Sequence, residues 1–411
     1  MAIFDYQGNK LSLIYGINGN KLTVALDILG NIVWQEEQQG GGDEPEKVFI
    51  PYTFAVISDV HYGTNCPNEN ERFTSWCSYT ASHMPEFILA TGDLANATNY
   101  KETSGVYHPR TALQEAGIPY TFGADNNVFY WAWGNHENNN KTDTLDTLCK
   151  AFDATMGKGA SQTNWFDFQG DRFIMMHFRT MSRNRAQFTV DDLTSLQSAL
   201  NTAGDKRVFL IQHCPDFSRT MCGASGKGDT THWGYDAPDI EWYGETLDVR
   251  EIFRRIVDAH VAAHPGKLIW LHGHTHKAAE YNGENWDNTY FSGNGWTVHI
   301  PSLGRPYLKK DQGGATANGE VRTFGEWAVF TVNQDSVSVS YKRVNGNSVT
   351  DTTIVPLDTY GFEIPCAGVG VQEEGSDTVT IRLVGGELYV DEAPAACVRM
   401  NGNDLILEDV G

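Results

Sequence analysis

Five times along this chain a short apolar run stops abruptly at a polar cluster, and that recurrence limits the folds open to it. FAVIS ends in Asp59-Val60-His61, FILAT in Gly92-Asp93, and VFYWAW in Gly134-Asn135-His136-Glu137. VFLIQ ends in His213, and KLIWLH in Gly273-His274-Thr275-His276. Apolar runs without polar alternation read as strands covered on both faces. A buried strand that stops at a polar cluster delivers those side chains to one rim of a sheet. Together the clusters supply two Asp, one Asn and four His with ligand chemistry, plus His136. Imidazole and carboxylate donors suit Mn, Fe, Zn or Ni, and this set exceeds the needs of one ion. Two metal ions side by side are the economical expectation.

Taken singly, each residue has an ordinary reading. A histidine after an apolar run packs in the core, Asp93 caps a helix or turn, and Asn135 makes a turn. Five ordered blocks reverse those odds. They resemble the calcineurin-like metallophosphoesterases, whose pattern runs D-x-H, G-D, G-N-H-[DE], a lone His and G-H-x-H. The resemblance covers roughly residues 51 to 345. It implies an α/β fold, a four-layer α-β-β-α sandwich of two mixed sheets. It also implies that Asp59, His61 and His276 hold one divalent transition metal ion, that Asn135, His213 and His274 hold a second, and that Asp93 bridges them. The implied chemistry is in-line attack on phosphorus by a metal-bridging hydroxide. His136 would then protonate the leaving oxygen or bind a phosphate oxygen, with Glu137 orienting its ring. His272 is expected to pack beneath the last block, and His177 and His299 to be structural.

The family contains diesterases, monoesterases, nucleases and protein phosphatases, and the metal blocks do not separate them. Two local features narrow the reading. Asn96 stands where purple acid phosphatases carry an iron-binding tyrosine, which disfavours that variant, and Cys214 stands where a second histidine often follows the lone one. A net charge of −22 repels long polyanions, and the nearest basic grouping, Arg179, Arg183 and Arg185, is no groove for duplex nucleic acid. A phosphodiesterase acting on a small or lipid- or glycan-derived ester is the first expectation, and a phosphomonoesterase or nuclease of the same fold the second. An inactive scaffold or virion-associated structural protein is the alternative from another class.

The stretch between His213 and Glu245 has no helical or strand period and carries Trp233, Tyr235, Trp242 and Tyr243 among glycines. It is expected to be a lid that binds substrate. No run is long and apolar enough for a membrane span, and MAIFDYQGNK has no secretory character. The expected location is cytoplasmic or virion-associated. Seven cysteines without a C-x-x-C pair are expected to stay reduced.

The ends differ from the middle. Gly-Asn pairs recur at Gly8-Asn9, Gly19-Asn20 and Gly30-Asn31, each followed by Leu11, Leu22 or Val33, and read as turns between short strands. The expected organisation is a β-rich repeat over residues 1–38, a linker over 39–50, a catalytic domain over 51–350 and a small β-rich domain over 355–411. Such repeats resemble those at the ends of some bacteriophage and prophage virion proteins. They bury little alone, so self-association through the terminal β segments is expected.

Overall fold

The computed structural model describes residues 49–63, 67–95, 109–137, 144–180, 186–214, 239–281, 290–291, 295–304, 306, 323–346 and 353–366, together with short strands near both ends. The chain divides into two units, Phe49–Val369 on one hand and Met1–Val48 with Gly370–Gly411 on the other.

In the larger unit the main strands of the two large sheets are, in chain order, β1 (Tyr52–Ile57), β2 (Phe87–Ala90), β3 (Phe129–Trp131), β4 (Asn164–Phe168), β5 (Asp171–Met175) and β6 (Val208–Ile211). Then come β7 (Leu268–His272), β8 (Gly295–His299), β9 (Phe324–Val332), β10 (Ser336–Asn345), β11 (Thr353–Pro356) and β12 (Phe362–Pro365). The helices are α1 (Pro67–Ser82), α2 (Pro109–Glu115), α3 (Leu145–Met156), α4 (Val190–Asn201) and α5 (Val249–Ala263). Thr189 opens α4 with the expected capping box, its hydroxyl accepting from the Asp192 amide while the Asp192 carboxylate accepts from the Thr189 amide.

The strands form two mixed sheets. The first runs β11-β10-β9-β1-β2-β3, with β12 also on β10, and β1, β2 and β3 are parallel. The second runs β8-β7-β6-β5-β4, parallel except at β4, with Tyr290–Phe291 beyond β8. Period-two alternation explains the layers. On β1, Phe54 and Val56 point between the sheets, where Phe54 meets Phe173 and Phe209 of the second sheet at ring separations of 5.3 and 5.2 Å. Ala55 and Ile57 point the other way, onto Phe73 and Trp76 of α1 and Phe152 of α3. The outer face of the second sheet packs Ile174, Leu210 and Trp270 against Leu196 of α4 and Phe253 of α5. Three apolar layers between four structural layers make an α-β-β-α sandwich.

At the amino-terminal ends of β1, β5 and β6 the sheets are clamped by a buried polar network. Arg207 donates Nε and Nη2 to the two carboxylate oxygens of Asp171, both at 2.9 Å, and Nη1 to the Asn333 carbonyl at 2.6 Å. The Tyr52 hydroxyl donates to Asp171 at 2.6 Å.

The sequence boundary near residue 350 needs correction. β11 and β12 both pair with β10, and Ile364 is fully buried between the sheets, so residues 355–366 complete the first sheet rather than open a separate domain. A long β10 presents free backbone on its outer side, and Ile364 adds apolar burial there. In the terminal unit, Thr23–Leu26 pairs with Ile32–Gln35, and a four-stranded antiparallel sheet is formed by Ile381–Val384, Glu387–Val390, Ala396–Asn401 and Asp404–Asp409. Among the described residues no helix is long and apolar enough to cross a membrane.

Candidate metal centre

All the polar clusters leave the carboxyl ends of parallel strands. From the first sheet, β1 delivers Asp59 and His61, β2 delivers Asp93, and β3 delivers Asn135 and His136; from the second, β6 delivers His213, and β7 delivers His274 and His276. The cluster straddles the rim where the sheets face each other, opposite the Arg207 clamp. To aim back at one point, the chain must turn sharply after each strand. Asp59, His61, Asp93, His274 and His276 all take left-handed backbone, with φ between 51° and 70°. Few non-glycine residues do so without local strain.

The donors form two groups that share Asp93. Atoms of Asp59, His61, Asp93 and His276 lie within 4.8 Å of one another, and so do those of Asp93, His213 and His274. His61 Nε2 faces His276 Nε2 at 2.9 Å, and His276 Nε2 lies 3.1 Å from Asp59 Oδ1. On the other side, His274 Nδ1 stands 3.1 Å from Asn135 Oδ1 and 3.3 Å from His213 Nε2. Asp93 Oδ2 is 3.1 Å from His213 Nε2 and 3.9 Å from His61 Nε2, so one carboxylate oxygen faces both groups.

This set fits a pair of cations. Asp59 Oδ1 is buried and meets no N–H or O–H with hydrogen-bond geometry. His213 Nδ1 lies 3.1 Å from the Thr91 carbonyl, to which it donates, and that bond turns Nε2 toward the carboxylates. Burial, and then His276 beside it, hold His61 well below the usual imidazole range, so it is a neutral lone-pair donor. Burial would depress His213 as well, yet Asp93 and Asp59 push it up to about 9. The carboxylates thus draw positive charge into this corner.

A shell of backbone contacts holds the donors. The Asp59 Oδ2 atom accepts from Ser58 Oγ at 2.6 Å and from the His274 amide at 2.8 Å, and Asp93 Oδ1 accepts from the His136 amide at 2.7 Å. Glycine is required at position 134, because a Cβ there would stand 2.2 Å from Asp93 Oδ1. Glu137 also braces the backbone of two loops. Its buried carboxylate accepts from the amides of Asp93 at 2.9 Å, Ala95 at 3.0 Å and Gly134 at 2.5 Å, which ties the β2 loop to the β3 loop. Burial and the charge of Asp93 push Glu137 up to about 8 against those amides. His177 accepts from the Trp133 amide at 3.1 Å, one residue before the same loop, and so supports it.

His136 differs from the donors. Its Nε2 is 3.9 Å from Asp93 Oδ2 and its side chain is 34% exposed, whereas Asp93 is 1% exposed. It borders the donors from the solvent side. His272 is fully buried on β7, with Nδ1 3.3 Å from the Gly273 carbonyl, and Cys214 is buried toward α4 and α5.

The expected substrate aromatics divide. Trp233, Tyr235 and most of their loop lie outside the described residues, as does Asn96. Trp242 ends the first strand and Tyr243 opens the turn of a hairpin, Asp239–Trp242 with Glu245–Asp248, on the helical side of the second sheet. Trp242 packs on that apolar layer, and the Tyr243 hydroxyl donates to Gln197 of α4 at 3.1 Å. Placement on the helix layer replaces the lid role for these two. Aromatic content alone carries no direction, which is why the sequence could not separate lid from core.

Among solved structures, the chain is similar to a dimetal phosphatase from Danio rerio, with 12% identity, 74% of this chain and 98% of that one covered, and a TM-score of 0.43. It is similar to PhoD at 12% identity, covering 79% and 74% of the two chains with a TM-score of 0.46. It is also similar to a purple acid phosphatase from yellow lupin (Lupinus luteus) seeds at 12% identity, covering 84% and 59% with a TM-score of 0.39. Comparison with curated proteins finds no match. The family model described as calcineurin-like phosphoesterase matches residues 52–278, more than half of the chain and every donor block from Asp59 to His276. The chain belongs to the calcineurin-like phosphoesterase family.

Proposed function

We propose that this protein is a binuclear metal-dependent phosphodiesterase acting on a small ester. The observation that carries the reading is the pair of donor groups sharing one oxygen of Asp93, with a partly exposed His136 beside it. Asp59, His61 and His276 would hold one ion, Asn135, His213 and His274 the other, and Asp93 both. Two divalent transition metal ions, of the Mn, Fe, Zn or Ni kind, supply Lewis acidity toward phosphoryl oxygens and lower the pKa of water. The protein's own part is geometric and protonic. Ser58 and the His274 amide fix Asp59, the His136 amide fixes Asp93, and Thr91 fixes the ring of His213. His136, partly exposed beside Asp93, would donate a proton to the leaving oxygen. A net charge of −22 penalises a dianionic monoester more than a monoanionic diester, and a polyanion most of all.

The test compares bis-p-nitrophenyl phosphate with p-nitrophenyl phosphate in the presence of manganese, with bound metal measured by elemental analysis. The diester should turn over faster. Asp93→Ala should lose both turnover and metal, whereas His136→Ala should keep metal while turnover falls by roughly two to four orders of magnitude. Preference for the monoester would move the assignment to phosphomonoesterase. No turnover on either ester and no bound metal would leave a scaffold.

A further inference from the structure

Glu326 is the third residue of β9, a strand that lies between β1 and β10, and its side chain is fully buried. A buried carboxylate inside an otherwise apolar strand is costly unless something engages it. Two groups do. Oε2 accepts from the backbone amide of Ala279 at 2.6 Å, and Oε1 accepts from Arg343 through Nε at 2.8 Å and through Nη2. The Arg343 guanidinium is itself stacked 4.1 Å over the Phe324 ring. Ala279 is three residues past His276, so a carboxylate of the first sheet grips the ligand loop of the second.

The same residue reaches the other ligand segment through its backbone. The Glu326 amide donates to the Ser302 carbonyl at 3.0 Å, and the Ser302 hydroxyl donates to the Asp59 carbonyl at 2.8 Å. Leu303 and Gly304 add amide bonds to the carbonyls of Ser58 and Asp59 at 2.9 and 3.2 Å. Glu326 is therefore the joint between the loops bearing Asp59 and His276, two donors of the same group. The second group takes His274 from the same loop, nearer β7, while its donors Asn135 and His213 sit on segments braced by Glu137 and Thr91.

We propose that Glu326, locked by Arg343, is a positioning residue that sets the Asp59–His61–His276 ion position selectively, by tethering the loop after His276 to β9. The proposal rests on the metal-dependent phosphoesterase reading for its catalytic consequence, but the tether itself is independent of that reading.

Two variants test it. E326L removes both acceptors, and E326Q retains one oxygen for the Ala279 amide. Manganese titration of each protein should show one of two binding steps weakened in E326L by roughly 10–100-fold, the usual effect of losing a support behind a ligand. The other step should stay within about twofold, and E326Q should fall between E326L and wild type. kcat should fall with the weakened step while KM for the small ester changes little. Hydrogen exchange on metal-free protein supplies the independent arm. E326L should lose protection at Ala279 while the amides of Gly134 and Asp93 keep theirs. Equal weakening of both steps, no weakening, or unchanged protection at Ala279 would each overturn the proposal. If E326L fails to fold, the same readings on E326Q decide. A wild-type protein that binds no manganese would sink the phosphoesterase reading, and the exchange result would still decide the tether.

Discussion

Replacing Arg207 by methionine tests how the rim opposite the metal donors is held. Arg207 and Asp171 are both fully buried and joined by two hydrogen bonds of 2.9 Å, and Arg207 also reaches the Asn333 carbonyl at 2.6 Å. Methionine keeps an apolar stem but leaves the Asp171 carboxylate with the Tyr52 hydroxyl as its donor from this network. Removing one partner of a buried ion pair costs about 3–5 kcal/mol, because the other charge stays desolvated. For a unit of about 320 residues, an unfolding entropy near 2.1 cal/mol/K per residue gives about 0.7 kcal/mol/K in all. The melting temperature of R207M should therefore fall by roughly 4–7 °C. The double variant R207M/D171L removes the stranded charge and should recover most of that loss, since apolar replacement of a whole buried pair is neutral or favourable by about 1–4 kcal/mol. Thermal and urea unfolding of wild type, both single variants and the double variant, with bound metal measured in each, make the assay. Metal content should not change, because the donors sit at the other ends of the strands. A loss below about 1 kcal/mol in R207M, or a double variant no better than the single one, would refute the reasoning.

Gly134→Ala should displace Asp93, whose Oδ1 would lie 2.2 Å from the new methyl. Turnover should drop roughly 100-fold with reduced metal content, and stability by only about 1–3 kcal/mol; a variant with full metal and full rate would show the loop to be compliant. A pH effect follows from His260 on α5, buried beside the His264 ring at 4.8 Å, where burial and then His264 hold its pKa down to about 4. The unfolded chain takes up that proton first, near pH 6.5, so this stability is complete above pH 6.5 and is lost as pH falls toward 4, on the order of 3 kcal/mol in all. Urea unfolding of metal-free protein from pH 7 to 4.5 should show a shallower acid loss in His260→Leu, and an identical slope in both proteins would count against it.

The donor side of the site was legible in the sequence for a simple reason. Each cluster follows its strand directly, so the fold only has to align strand ends to gather Asp59, Asp93, Asn135, His213 and His274. Supports were less visible. Glu137 follows His136 in sequence and draws attention to that ring, and nothing in the spacing shows that its carboxylate also accepts from the amides of residues 93, 95 and 134. Glu326, alone in FGEWAVFTV, carries no sequence mark of its partners, because period two says nothing about a central strand buried on both faces. The pairing of residues 353–365 was equally hidden, since short apolar strands carry no mark of the sheet edge they will join.

The left-handed turns at Asp59, His61, Asp93, His274 and His276 have a consequence for descent. Each holds an L-residue where glycine would rest more easily, by about 1 kcal/mol or more. In a lineage no longer selected for turnover, substitutions to glycine at these positions would be favoured twice over, relieving the backbone and unburying carboxylates. Decay of the catalytic rim therefore runs thermodynamically downhill while the sandwich beneath it persists. Robust metal-free descendants of such a chain are the expected product of drift.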